Sequence, residues 1–257
     1  MNFSISRVAY ITIARKEVGR ILRIWTQTLL PPIITQSLYF VVFGAFLGQR
    51  IGVVAGFSYA AFLVPGLILM AVVTNAFSNV SSSFFGAKFQ RSIEELLVAP
   101  VSPSVIISGY VTGGLFRSVL VGIVIFFVSI FFVPPSVSHI WAIAFFGIMT
   151  ALLFSLFGML NGLFARKFDD VSIIPTFVLT PLTYLGGVFY DINSLPPFWK
   201  NISYLNPLAY AIDGFRYGFS GIARTPVLFS SLALFGAVVV MAVLLMILIR
   251  QGAGLKS

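Results

Sequence analysis

The chain has no cysteine, a single histidine and only seven carboxylate side chains in 257 residues. Without cysteine there are no disulfides and no thiolate metal sites. Charged residues make up 9% of the chain and hydrophobic ones 59%. A soluble domain is about a quarter charged. There are too few polar residues here to cover a water-facing body of this length, so the solvent is lipid. The phosphate-cradling loop G-x-x-x-x-G-K-[ST], the metal-binding H-E-x-x-H and the nucleophile elbow G-x-S-x-G are also absent. No catalytic constellation is visible, and nothing in the chain would hydrolyse ATP. His139 falls in a short loop and reads as a solvated residue. Asp169 and Asp170, beside Arg166 and Lys167, read as a charged turn rather than a metal site. The net charge of +9 does not point to nucleic acid, because the basic residues flank apolar runs and form no patch.

What remains is 28 Phe, 22 Gly and long apolar runs. A helix needs about 20 apolar residues to cross the hydrocarbon core. Six runs qualify: Thr28–Gly48, Tyr59–Val80, Pro103–Val133, Trp141–Ala165, Val171–Tyr190 and Val227–Ile249. Pro175 and Pro181 break the fifth. The runs are continuously apolar with no period of two, which favours helices over a barrel. The expected fold is an all-α polytopic membrane protein with six transmembrane helices. No cleavable signal peptide is expected, since the first run is too long for one. Lys and Arg alternate between loops. They are dense before the first run (Arg7, Arg15, Lys16, Arg20, Arg23), between the second and third (Lys88, Arg91), between the fourth and fifth (Arg166, Lys167) and after the sixth (Arg250, Lys256). The opposite loops are poorer. This pattern places both termini in the cytoplasm.

Three further segments carry information. At the N-terminus, Val8, Ile11, Ala14, Val18, Ile21 and Trp25 recur at helical spacing, with Lys16, Arg20 and Arg23 opposite. Such a helix lies in the membrane interface, either as an anchor or as a docking element for a partner. Phe89–Pro100 places Phe89, Ile93, Leu96 and Leu97 on one face and Gln90, Arg91, Glu94 and Glu95 on the other, as a solvated charge cluster or a lever for a partner. The long connection Asp191–Pro226 is apolar and aromatic. Within it Asn206 is a good N-cap, Pro207 suits the first helical position and Gly221 is a natural stop. Asp213 and Arg216 are spaced to pair on one face. The segment is expected to dip into the membrane, as a packed plug or as an outer gate. Arg117 lies inside the third run. It either pairs with a polar neighbour such as Asn75, Asn79 or Asn161, snorkels to the interface, or faces a translocation path.

The stretch from Leu179 to Arg216 resembles the signature of ABC-2-type transporter permeases. The matching positions are Leu179, Leu182, Leu185, Gly186, Val188, Leu195-Pro196, Pro207-Leu208-x-Tyr210 and Arg216. The strings Phe84-Phe85-Gly86-Ala87-Lys88-Phe89-Gln90-Arg91 and Glu94-Glu95-Leu96-Leu97-Val98-Ala99-Pro100 are similar to the YadH-like branch of bacterial inner-membrane permeases. The layout of the whole chain matches as well.

The resemblance implies one transmembrane domain over residues 1–257. Residues 1–27 would form the interfacial helix, 28–250 the membrane bundle with re-entrant helices before the last span, and 251–257 a cytoplasmic tail. It implies a multi-pass protein of the bacterial cytoplasmic membrane, paired with a second permease copy and seated on a separate ABC ATPase that binds ATP and magnesium. This chain would then bind no cofactor and catalyse no reaction. Phe89, Gln90, Arg91, Glu94 and Glu95 would belong to the coupling helix. Leu195, Pro196, Pro207, Tyr210 and Arg216 would shape the outer gate, and the cargo would be a lipid, a lipid-linked glycan or an amphipathic compound. A secondary transporter would want intramembrane carboxylates, whereas all seven here read as lying in loops or surface helices. A membrane-embedded lipid-modifying enzyme would want a His, Asp or Ser cluster near the interface, and none is seen.

Overall fold

The computed structural model describes residues 3–99, 101–134 and 136–254. Pro100, the end of the expected Phe89–Pro100 segment, and Lys256, expected as a cytoplasmic charge, lie outside the described residues. Among the described residues, five helices are long and apolar enough to cross a bilayer: Trp25–Ile51, Tyr59–Phe89, Pro103–Ile130, Ile140–Phe164 and Val227–Arg250. They correspond to five of the six apolar runs.

In chain order, α1 (Phe3–Arg23) leads into α2 (Trp25–Tyr39), which continues through a π-helical stretch (Phe40–Leu47) into α3 (Gly48–Ile51). A short antiparallel hairpin follows, pairing Val53 with Ser58 and Val54 with Phe57. Its turn residues Ala55 and Gly56 both have positive φ, 54° and 85°, the conformation that matches the twist of a two-residue hairpin. Then come α4 (Tyr59–Phe89), α5 (Ser92–Val98), α6 (Pro103–Ile130) and α7 (Ile140–Phe164).

The fifth run is divided into α8 (Phe168–Ile174), a π turn (Pro175–Leu179) and α9 (Thr180–Leu185). Proline has no N–H and crowds the preceding turn, so the regular ladder fails here. Thr180 compensates, donating both its amide and its hydroxyl to the Pro175 carbonyl. α10 (Pro197–Leu205), α11 (Pro207–Ser220) and α12 (Val227–Arg250) complete the chain.

α4 is the centre of the bundle, apolar around most of its circumference and buried between α6 and α7. The close approach of α7 depends on Gly158 and Gly162. A Cβ at Gly162 would sit 2.8 Å from the Ser81 carbonyl oxygen, and one at Gly158 would collide with the Phe77 carbonyl. This is the small-xxx-small contact by which membrane helices pack without a hydrophobic driving force.

α1 is helical as its period predicts, but its fully buried face is shifted and shares only Ile21 with the expected stripe. Ile13, Glu17 and Ile21 face inward, while Val8 and Trp25 of the expected apolar stripe are exposed at 65% and 58%. The inner face is chosen by shape. Gly109 and Gly113 of α6 leave hollows that Ile13 and Glu17 fill, and a Cβ at either glycine would lie within 2.8 Å of them.

Candidate functional site

Two ends of the bundle and one polar seam between them carry the candidate residues. At the first end α4 stops at Phe89, so Phe89 and Gln90 close the long helix and do not belong to the short one expected to include them. The cause is Arg91, whose φ of 58° is left-handed. A non-glycine residue pays conformational energy there, and the chain reverses. α5 then runs from Ser92, held through Ile93, which is buried at 2% exposure. Arg91, Glu94 and Glu95 are all exposed, and none of them enters an ion pair among the described residues.

Phe89, exposed at 61%, meets Phe168 edge-on at 4.9 Å between centroids, and Phe85 packs edge-on against Phe168 at 5.0 Å. Lys88 donates to the carbonyls of Leu163 and Ala165 at 2.8 and 2.9 Å, closing the end of α7. A cavity of about 730 Å³ opens between α5, the end of α7 and the C-terminal turn, lined by Phe89, Arg91, Glu94 and Arg166 among others. Asp170 accepts from the amides of Arg166 and Lys167 at 2.8 and 3.0 Å. These hydrogen bonds to the charged form hold its carboxyl below the ordinary aspartate range.

The polar seam runs along Asn75, Asn79 and Ser83, spaced by four on one face of α4. Arg117 Nε donates to Asn75 Oδ1 at 3.2 Å, the first of the polar partnerships open to it. Asn161 is engaged instead with Ser81 and the Val171 carbonyl. Glu17, 1% exposed, accepts from Ser83 Oγ at 2.7 Å and from Arg20 Nη2 at 2.8 Å, and Arg20 Nη2 also reaches Asn79 Oδ1 at 3.0 Å. The reading that every carboxylate lies in a loop or on a surface helix is therefore corrected. Glu17 is buried between α1, α4 and α6, and Asp213 is buried in α11. The spacing of Ile13, Glu17 and Ile21 was a visible signal, but a glutamate at its centre concealed the face.

At the opposite end, α10 is amphipathic and α11 almost wholly buried. Asn206 Oδ1 accepts from the Leu208 amide at 2.9 Å, Pro207 takes the first helical position and Gly221, φ 72°, ends α11, as the sequence indicates. Leu195 is half-buried, and exposed Pro196 precedes α10. Tyr210 donates to the Tyr204 carbonyl at 2.8 Å, tying α11 to α10.

The expected pairing of Asp213 with Arg216 is absent. Both Asp213 oxygens are occupied by the 224–225 turn, accepting from the Thr225 hydroxyl and from the amides of Arg224 and Thr225. Arg216, 7% exposed, instead donates to the Gly187 carbonyl at 3.0 Å and stacks 3.9 Å above the Phe62 ring. Asp191 pairs with Arg224 at 2.8 Å. His139 is also not a free loop residue, since its ring stacks on Tyr217 at 4.5 Å beside Trp141. α11 thus packs on α4 through Arg216 and on α7, where Phe146 fills the space above Gly214.

A helical membrane bundle with a short exposed helix at one end and a buried plug at the other is the frame of a transport permease. The pattern of the family described as ABC-2 type transporter matches residues 8–220, and the chain belongs to that family. It is similar to the inner membrane transport permease YadH of Escherichia coli strain K12, 57% identical over 255 residues, covering 97% of this chain and 98% of that one. It is also similar to nodulation protein J of Rhizobium leguminosarum bv. viciae, 29% identical over 184 residues, with 70% of each chain covered. The same protein of Rhizobium meliloti is 28% identical over 181 residues, covering 70% of this chain and 69% of the relative.

Proposed function

We propose that the chain is the membrane-spanning permease subunit of an ATP-binding-cassette exporter in the bacterial inner membrane. It crosses the membrane six times with both termini in the cytoplasm and carries a lipid, lipid-linked glycan or amphipathic compound. ATP is hydrolysed by a separate subunit, and two permease copies pair around the path. The observation that carries this reading is α5. It hangs from the inner end of α4, is fixed to the bundle by Ile93, and offers Arg91, Glu94 and Glu95 to water with no ion partner of their own among the described residues. The exposed Phe89 beside them and the neighbouring cavity, lined by Lys88, Arg91, Glu94 and Arg166 as well as by Phe85 and Ile93, supply a mixed apolar and charged seat for an ATPase surface. α10 and α11, with Leu195, Pro196, Pro207, Tyr210 and Arg216, form the outer gate, and Arg117 lies along the path.

The test is reconstitution with candidate ATPases. Reversing both charges, Glu94→Lys with Glu95→Lys, is expected to lower ATPase copurification about tenfold, the scale of a lost interfacial charge pair, with insertion unchanged. Undiminished ATPase stimulation in the double variant counts against the coupling role. Transport by the isolated chain under an ion gradient, with no ATPase present, sinks the exporter reading. Glu17 and Asp213 give the ion-driven alternative two buried carboxylates, but Glu17 is already paired with Arg20 and Ser83 and Asp213 is held by the 224–225 turn.

A further inference from the structure

Two cavities at the hairpin end share a wall. One, about 60 Å³, is lined by both Arg216 and Arg224, and by Phe62 between the start of α4 and the end of α6. The other, about 340 Å³, is an apolar groove running between α6 and α7, floored by Phe215 and Phe219 of α11. Phe126 and Phe219 line both and face each other at 6.1 Å.

Two guanidiniums and no carboxylate line the small cavity. Both guanidiniums lie over the same Phe62 ring, at 3.9 and 5.4 Å. Arg216 Nε and Arg224 Nη2 are buried and have no hydrogen-bond partner. The carboxylates nearby are turned to other work: Asp213 is held by the 224–225 turn, Asp191 occupies Arg224 Nη1, and neither lines this cavity. Buried charged donors are costly to leave unpaired. A cavity of about 10–15 Å³ already holds a water, so this one has room for a tetrahedral oxyanion. The groove beside it contains no charged residue, and Ile123, Ile140 and Ile148 at its lip are exposed at the bundle surface. In a bilayer that lip faces acyl chains.

We infer that Arg216, Arg224 and the α6–α7 groove together form a binding site for an anionic phospholipid of the surrounding bilayer. The phosphate accepts from the guanidiniums of Arg216 and Arg224, and one acyl chain passes Phe126 and Phe219 to lie between α6 and α7. Entry is sideways through the exposed lip, so the lipid is a resident of the bilayer. The site rests on the chain being embedded in a membrane and not on its coupling to an ATPase.

The test is native mass spectrometry of the purified full chain titrated with phosphatidylglycerol or with phosphatidylcholine of the same chains. Wild type is expected to retain the anionic lipid about tenfold better, the scale of one charge-assisted hydrogen bond. Arg224→Gln is expected to abolish that preference. Ala144→Phe, which fills the groove, is expected to lower retention of both lipids. Equal retention of the two lipids by wild type overturns the site without recourse to any variant. Wild-type behaviour of both variants overturns it as well. ATPase copurification is a separate measurement, so failure here leaves the exporter reading standing, and the reverse also holds.

Discussion

Glu17 shows how much a single side chain can hide. Its neighbours in sequence are basic or apolar, so it reads as one more charge on an interfacial helix. In the fold it accepts from Ser83 and Arg20 in a nearly closed environment. Removing it leaves Ser83 without that acceptor and Arg20 with Asn79 alone, and a buried donor left unpaired costs about 1–3 kcal/mol. Glu17→Ala is therefore expected to lower the thermal midpoint of the detergent-solubilised chain, and Ser83→Ala to lower it less. A Glu17→Ala midpoint equal to wild type would make the cluster energetically idle.

Asp170 gives a prediction with a sign. Its folded-state pKa is depressed by two backbone amides, so its contribution is complete above the ordinary aspartate pKa. That contribution is lost only as the pH falls through the lower folded value. Hydrogen exchange at the amides of Arg166 and Lys167 is expected to stay protected at pH values where a free aspartate is already half protonated. Asp170→Ala is expected to expose both amides at neutral pH. The capping residues Asn206, Pro207 and Gly221 were legible because capping is local chemistry. The partners of Asp213 and Arg216 were not, because the acceptor at Gly187 and the ring of Phe62 come from distant segments.

Among elements, the apolar runs translated into helices with small shifts at the ends, since length and hydrophobicity alone define a span. Where α5 begins was less legible, because it depends on one residue taking a left-handed conformation. That conformation separates two roles of Arg91. Arg91→Gly relieves the backbone and is expected to stabilise the chain by about 1 kcal/mol and, under the proposed coupling role, to weaken ATPase binding. A higher midpoint with lower copurification is the expected pair of results. A drop in midpoint would show that the side chain matters to the fold itself. The contact of α4 with α7 yields the opposite kind of variant. Gly158→Leu pushes a side chain into the Phe77 carbonyl and is expected to leave the chain protease-sensitive. Gly236→Ala on α12 meets nothing within 4 Å and is expected to be silent.

For the whole molecule, the decisive question is whether residues 168–185 cross the membrane. The pieces have seven, five and six residues. At about 1.5 Å per residue they come close to the roughly 30 Å hydrocarbon thickness. If they cross, α12 returns the C-terminus to the side of α1 and Arg250 obeys the charge rule. If they do not, α12 ends outside, with Arg250 on the wrong face. α10 and α11 do not change this parity, because they enter the bundle and leave at the same end. The absence of cysteine makes the measurement direct, since each introduced thiol is the only one present. Gln90→Cys and Gly252→Cys are expected to resist a membrane-impermeant maleimide in intact cells and to react once the inner membrane is opened. Ala55→Cys and Asn201→Cys are expected to react at once. Labelling of Gly252→Cys in intact cells would remove the fifth crossing and, with it, the placement of both ends beside the ATPase.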